Sequence, residues 1–361
     1  MRKSIIFLFL FVSLGAAAPR AKNVILFLGD AGGVPTISAA SLYGYNAPLK
    51  LYIQHMPHIG LMDTSAADGW VTDSAAGMTA IVTGRKTNNG VLSLAPGTER
   101  GKTGEALKTI LEYAEERGLS TGVISNSEMV DATPAACYAH VDNRAKFGEI
   151  FAQLLAPRFG DGVDLVIGSG RKQIFAATAK MGLDVEPAVK AKGYGLYSSL
   201  EAIPPDARRV IALWDSSNFD LGAVVRRAIA ILSRNKKGYF LMVEWDMHTN
   251  NIKQGLDHAV QMDKVIRETT GEVKSDTLMI FTADHSFDLR VRGGRPGVPL
   301  LAPAGTPPAR SAVRMEDSHT GEEVMVAAQG PGSQRVQGYF ANTDLFHIMM
   351  AAYGWEKLPS K

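Results

Sequence analysis

The stretch VILFLGD, residues 24–30, decides the fold. Five apolar residues run without a polar interruption and stop at Gly29 and Asp30, the pattern of a short buried strand. Four more runs repeat it: TGVIS (121–125), VDLVI (163–167), YFLMV (239–243) and TLMIFT (277–282). Amphipathic helical patterns lie between them, at 103–114 with a stop at Gly118, at 221–233 and at 252–268. Strands alternating with helices predict an α/β fold, a mainly parallel central sheet with helices on both faces. In such sheets ligands bind beyond the carboxyl ends of the strands. No internal repeat is visible. Residues 182–215 are mixed in pattern, and residues 290–314 are rich in Gly and Pro. Both read as insertions, the second as a surface excursion near the site.

The rest of the chain fits one large α/β domain over residues 19–361. Of its 361 residues 46% are hydrophobic and 20% charged, which excludes disorder, collagen-like repeats and coiled coil. Residues 1–18 read as a secretory signal peptide: a basic start, an apolar run over 5–14, then small residues. Pro19 is a poor residue after the cut, so cleavage after Ala17 is an alternative to Ala18. The apolar run is short for a membrane span, and no later stretch is long and apolar enough, so the mature chain is expected in a periplasm or outside the cell. Removing the leader takes Arg2 and Lys3 with it and leaves 36 basic against 36 acidic residues. That balance gives no electrostatic footprint for nucleic acid or an anionic membrane. Cys137 is the only cysteine, so no internal disulfide can form.

Polar residues collect where the apolar runs end. Asp30 follows the first, Glu244, Asp246 and His248 follow YFLMV, and Asp284 and His285 follow TLMIF. Any one of these is more often a helix cap than a ligand. Together they deliver carboxylates and imidazoles to one edge of a sheet, where buried carboxylates repel unless cations sit among them. Asp, Glu and His are the side chains that zinc and magnesium accept. Glu244, Asp246 and His248 are spaced by two, so an extended chain points all three to one face, with Trp245 and Met247 on the other. The segment VTDSAAGMTAIVTG (71–84) reads as a tightly packed helix with Thr72 or Asp73 as cap and Ser74 in its first turn. There the helix dipole and free N–H groups favour negative charge. A serine needs a base or a metal to become a nucleophile. No Gly-x-Ser-x-Gly elbow is present, so metal activation is the better hypothesis.

These residues, with their order along the chain, resemble the alkaline phosphatase family. The matching motifs are Gly29 and Asp30, TDSAAG (72–77), DATP (131–134) with Arg144 beyond it, Val243 and Glu244, TADH (282–285) and SHTG (318–321). The resemblance spans about residues 23 to 353 and implies an alkaline-phosphatase-like fold. It also implies a site of two Zn2+ and one Mg2+, and a phosphoserine intermediate formed on small phosphate monoesters. By motif position, Ser74 is the nucleophile and a ligand of the first zinc, with Asp30, Asp284 and His285. Asp30 also reaches the magnesium, with Thr133 and Glu244. His319 belongs to the second zinc. Arg144 clamps phosphate through its bidentate fork, and Asp131 orients that arginine or a water on magnesium.

One departure stands out. The family usually supplies the second zinc with Asp-x-x-x-His several residues beyond the glutamate. Here the stretch is shortened, and Asp246 and His248 are the expected ligands, with Asn250, Asn251 or His258 as substitutes. The chain also looks short for the family, which suits a monomer as well as a homodimer. Among the other histidines, His140 reads as a packed core residue, while His55, His58 and His347 lack metal-like neighbours. Two rivals remain open: a phosphodiesterase or sulfatase of the same superfamily, and a secreted metal-binding protein without catalysis. Ser74 followed by Ala-Ala-Gly, rather than by a sulfatase signature, and the presence of Arg144 favour the phosphomonoesterase.

Overall fold

The computed structural model describes residues 20–302 and 312–356; the expected signal peptide lies outside the described residues. The strands are β1 (Asn23–Asp30), β2 (His58–Asp63), β3 (Ser120–Glu128), β4 (Leu165–Ser169), β5 (Gly195–Tyr197), β6 (Val210–Trp214), β7 (Tyr239–Asp246), β8 (Thr277–Thr282), β9 (Ser286–Val291), β10 (Val313–Thr320), β11 (Val324–Gln329) and β12 (Gly338–Ala341). The helices used below are α1 (Val34–Tyr45), α2 (Ser74–Thr83), α3 (Ile110–Glu116), α4 (Ala132–Ala135), α5 (Phe147–Leu154), α6 (Arg171–Ala179), α7 (Val185–Ala191), α8 (Leu221–Leu232), α9 (Ile252–Glu272) and α10 (Asn342–Tyr353).

Ten strands form one sheet in the order β12-β2-β11-β8-β1-β7-β3-β4-β6-β5. From β8 to β5 every pairing is parallel; β11 runs antiparallel to its neighbours β8 and β2. The unbroken apolar run in β1 has a simple cause. Val24, Leu26 and Leu28 enter a core on one face, and Ile25 and Phe27 enter a second core on the other. Helices α2, α3 and α10 contact one another over the first core, and α9 packs between α1 and α8 over the second. This is the expected mainly parallel α/β sheet with helices on both faces.

The register positions the site. Leu28 pairs with Glu244 on one side and Thr282 on the other, and Asp30 pairs with Asp246. The carboxyl ends of β1, β7 and β8 therefore finish side by side at the middle of the sheet. Trp245 and Met247 are buried in the second core, so Glu244 points to the opposite face, as the spacing predicts.

Two segments differ from the sequence reading. The helix expected from residue 103 begins only at Ile110. Thr109 caps it, accepting from Glu112 N while the Glu112 side chain accepts from Thr109 N. Before that cap the chain bridges Leu94 to Ala106, and Leu107 N donates to Ser93 O. The mixed segment 182–215 holds α7, β5 and β6. β6 is a fully buried strand that carries the sheet one strand beyond β4 and leaves β5 at its edge. Residues 290–314 include parts of β9 and β10, an antiparallel ribbon that ends near His319.

Candidate metal centre and nucleophile

Ser74 is the first residue of α2, and the helix begins there because Asp73 caps it: Asp73 Oδ1 accepts from Ala76 N at 3.0 Å. The small residues that follow let α2 lie directly on the loop after β8. A methyl group at Gly77 would stand 2.7 Å from Asp284 O, so only glycine allows this approach. That contact brings Ser74 Oγ to 3.2 Å from His285 Nε2. Ser74, Asp284 and His285 are all buried.

The turn after β1 is braced from the same loop. Ala31 sits at φ +63°, a left-handed conformation that disfavours a side chain, and Ala31 N donates to Asp284 Oδ1 at 3.2 Å. Asp30 Oδ1 lies 3.3 Å from His285 Nε2 and 3.7 Å from His248 Nδ1. The rings of His285 and His319 stack with centroids 3.8 Å apart, and that of His248 is 5.6 Å from each. Two ligand-like groups result, Asp30 with Asp284 and His285, and His248 with His285 and His319. Phe287 lies against the rings of His248 and His319. His319 is further held by its Nδ1 at 3.1 Å from Thr72 O.

The electrostatics are those of carboxylates and imidazoles buried close together. Burial, and then the charge of Asp284, push the Asp30 carboxyl well above its ordinary range. Burial and Asp30 do the same to Glu244. Burial lowers His285 to about 4. His248 is raised to about 9: burial opposes the rise, and Asp30 and Asp246 outweigh it. Asp246 is correspondingly lowered, burial being outweighed by its hydrogen bonds from the His248 ring and backbone at 2.8 and 2.9 Å.

Four buried oxygens test whether divalent cations fit. Asp30 Oδ1, Asp284 Oδ2, Glu244 Oε1 and Thr133 Oγ1 have neither solvent nor a hydrogen-bond partner. Protein interiors rarely tolerate such orphans, and hard oxygen donors with imidazoles nearby are what zinc and magnesium accept. The donor set fits the ions.

A second part of the site carries an arginine held between two carboxylates. Thr133 lies in the short α4, preceded by Asp131. Arg144 Nη2 donates to Asp131 Oδ1 at 2.9 Å, and its Nη1 to Asp73 Oδ2 at 3.0 Å. The sequence offers Asp131 for this arginine or for a water on magnesium, and Thr72 or Asp73 only as a cap; in the structure Asp73 both caps α2 and holds Arg144. The signal for this second task is its place beside Ser74 in TDSA. Also missed were Ser125 and Asn126 at the end of β3, which brace Glu244 and Asp246. Among the substitutes for the shortened motif, His258 Nδ1 instead meets Asp246 O at 2.6 Å, Asn250 Oδ1 accepts from Asn251 N at 2.8 Å, and Asn251 caps α9. His140 is buried but polar in its contacts, with Nε2 at 2.9 Å from Leu107 O and 2.7 Å from Arg158 Nη1.

The family model for alkaline phosphatases matches residues 21–194 and 214–303. The chain belongs to the alkaline phosphatase family. The alkaline phosphatase of Escherichia coli K12 is 30% identical over 418 aligned positions, covering 92% of this chain and 86% of the relative. The human tissue-nonspecific isozyme is 26% identical over 438, covering 92% and 83%. These alignments are longer than the 361-residue chain, so the relatives carry segments that it lacks. Among solved structures, the alkaline phosphatase from the Antarctic bacterium TAB5 superposes with a TM-score of 0.79 at 24% identity, covering 94% of this chain and all of that one. That of Thermus thermophilus gives 0.78 at 21%, covering 97% and 96%. Both show the same fold. As a member of this alkaline phosphatase family the chain is a metal-dependent phosphoric monoester hydrolase. Among its described residues no helix is long and apolar enough to cross a membrane.

Proposed function

We propose that the protein is an exported alkaline phosphatase that transfers the phosphoryl group of small monoesters to Ser74 and then to water. The observation that carries this reading is Ser74 Oγ at the start of α2, 3.2 Å from His285 Nε2 and beside a group of buried, unpartnered carboxylate oxygens. Asp30, Asp284, His285 and Ser74 would hold one zinc. Asp246, His248 and His319 would hold the second, and Asp30, Thr133 and Glu244 the magnesium. When bound, the ions supply positive charge that favours the ionised forms of serine and water and neutralises phosphoryl oxygens.

The chain's own residues do the positioning. The first turn of α2 points free N–H groups and the positive end of its dipole toward the anion. Arg144, fixed by Asp73 and Asp131, keeps its remaining donors for the equatorial oxygens, where the transition state carries charge. Ser74 Oγ gives up its hydroxyl proton to solvent and forms a bond to phosphorus as the ester P–O bond breaks. The leaving oxygen takes up a proton and departs as an alcohol, and a phosphoserine remains. Water then attacks phosphorus from the vacated side, the bond to Ser74 Oγ breaks, and phosphate leaves. No described contact in this scheme depends on the alcohol, so broad specificity for monoesters is expected.

Ser74→Ala tests the reading. Steady-state turnover of p-nitrophenyl phosphate should fall by several orders of magnitude. Full activity in the variant would remove Ser74 as the nucleophile.

A further inference from the structure

We propose that Ser125 sets the metal preference of the Glu244 position, by engaging one carboxylate oxygen and leaving a single oxygen for the cation. The proposal rests on the reading that Glu244, Asp30 and Thr133 hold magnesium. β3 and β7 are parallel neighbours, with Ile124 paired to Val243, so Ser125 flanks Glu244. Both residues are fully buried. Ser125 Oγ accepts from Ser127 N at 2.8 Å, which directs its hydroxyl hydrogen away from that amide. The hydroxyl donates to Glu244 Oε2. Beside an ionised carboxylate the serine is the donor, and such charge-assisted bonds are the strong ones.

Glu244 Oε1, by contrast, has no hydrogen-bond partner among the described residues. The two oxygens of one carboxylate are thus assigned different work. The strand end is also fixed: Asn126 Oδ1 accepts from Asp246 N at 2.8 Å, and Asn126 O accepts from Ser169 Oγ at 3.0 Å. Glu244 therefore cannot slide to present both oxygens while Ser125 holds one. Magnesium demands compact, near-octahedral coordination, for which one oxygen per carboxylate suffices. Calcium takes more oxygens and readily accepts both from one carboxylate. A serine that occupies the second oxygen disfavours calcium and orients the first for magnesium.

The test is calorimetric titration of magnesium alone and of calcium alone into the zinc-loaded protein. The variants are Ser125→Ala, Ser125→Cys and Glu244→Gln. Ser125→Ala should weaken magnesium roughly 10- to 100-fold, as loss of such outer partners does. Calcium should bind as before or better, so the magnesium-over-calcium preference falls at least about tenfold on the same scale. Ser125→Cys, close in size with a weak donor, should lie between; it carries the test if the alanine variant fails to fold. Equal weakening of both cations, or an unchanged preference, overturns the proposal. It leaves the Glu244 reading intact if Glu244→Gln abolishes magnesium binding. Undiminished magnesium binding in Glu244→Gln overturns both.

Discussion

Gly77→Ala probes the contact that brings the serine helix to the histidine loop. The added methyl would stand 2.7 Å from Asp284 O and 3.2 Å from Asp284 C and Cβ. Two of these neighbours are backbone atoms, which cannot rotate aside. Nonbonded heavy atoms settle nearer 3.5 Å, so α2 must retreat by several tenths of an ångström. Overpacking of this kind costs about 1–3 kcal/mol. A melting temperature lower by about 2–4 °C per kcal/mol follows for a domain of a few hundred residues. The same retreat pulls Ser74 from His285. Since a 1 Å misplacement costs on the order of 100-fold in rate, kcat should drop roughly 3- to 10-fold. Arg144 loses at most its Asp73 anchor as the cap moves with α2 and keeps Asp131, so KM should change less than kcat. Gly271→Ala is the control: it lies in α9 with nothing within 4 Å of the new methyl. Helix propensity makes it neutral or stabilising by up to about 1 kcal/mol. Steady-state kinetics and calorimetric melting of both variants read the outcome. A Gly77→Ala enzyme with native kcat and melting temperature would refute the argument that close approach of α2 sets the serine's position.

Arg144→Lys should raise KM for monoesters roughly 10- to 100-fold, because a lysine cannot bridge Asp73 and Asp131 and still offer a fork to phosphate; steady-state kinetics at saturating metal will show it. Metal-stripped protein should lose melting temperature between pH 6.5 and pH 9. His248, raised from 6.5 to about 9, binds its proton more tightly folded than unfolded, so the stability it contributes fades as pH climbs through that window; Asp30 and Glu244, also raised, lose theirs from the ordinary carboxylate range upward. Below about 6.5 the lowered His285 works the other way, favouring the folded state as pH rises from about 4. Scanning calorimetry across this range, with and without zinc and magnesium, should show the alkaline decline only in the stripped protein. A flat stripped profile would contradict the assignment. Finally, His248→Ala should reduce zinc content far more than His258→Ala, since His258 is spent on the Asp246 carbonyl; metal analysis of dialysed protein giving the reverse order would contradict this.

Much of the fold was legible because both faces of its central strands are buried. A strand covered on both sides must be apolar throughout, so β1, β7 and β8 announced themselves, and their polar ends marked the site. β6 carries the same signal, VIALW at residues 210–214, but its surroundings of Pro, Asp and Ser masked it. The early start read for α3 failed for a local reason. The apolar spacing over 103–109 serves a bridge and a cap, and capping chemistry at Thr109 rather than periodicity sets the first turn. The acidic and imidazole groups were legible as types at strand ends. Their partners were not, because Ser125, Asn126 and Asp73 act through contacts across 71 to 120 positions of sequence that no local pattern encodes.

Anomalous scattering at the zinc absorption edge, from crystals grown with zinc and magnesium, tests the account most directly. Two zinc peaks should appear, one bounded by Asp30, Asp284, His285 and Ser74 Oγ, the other by His248 and His319, with a lighter ion against Glu244 and Thr133. Zinc peaks elsewhere, with Ser74 Oγ free of any ion and the buried carboxylates bonded only to one another, would contradict it.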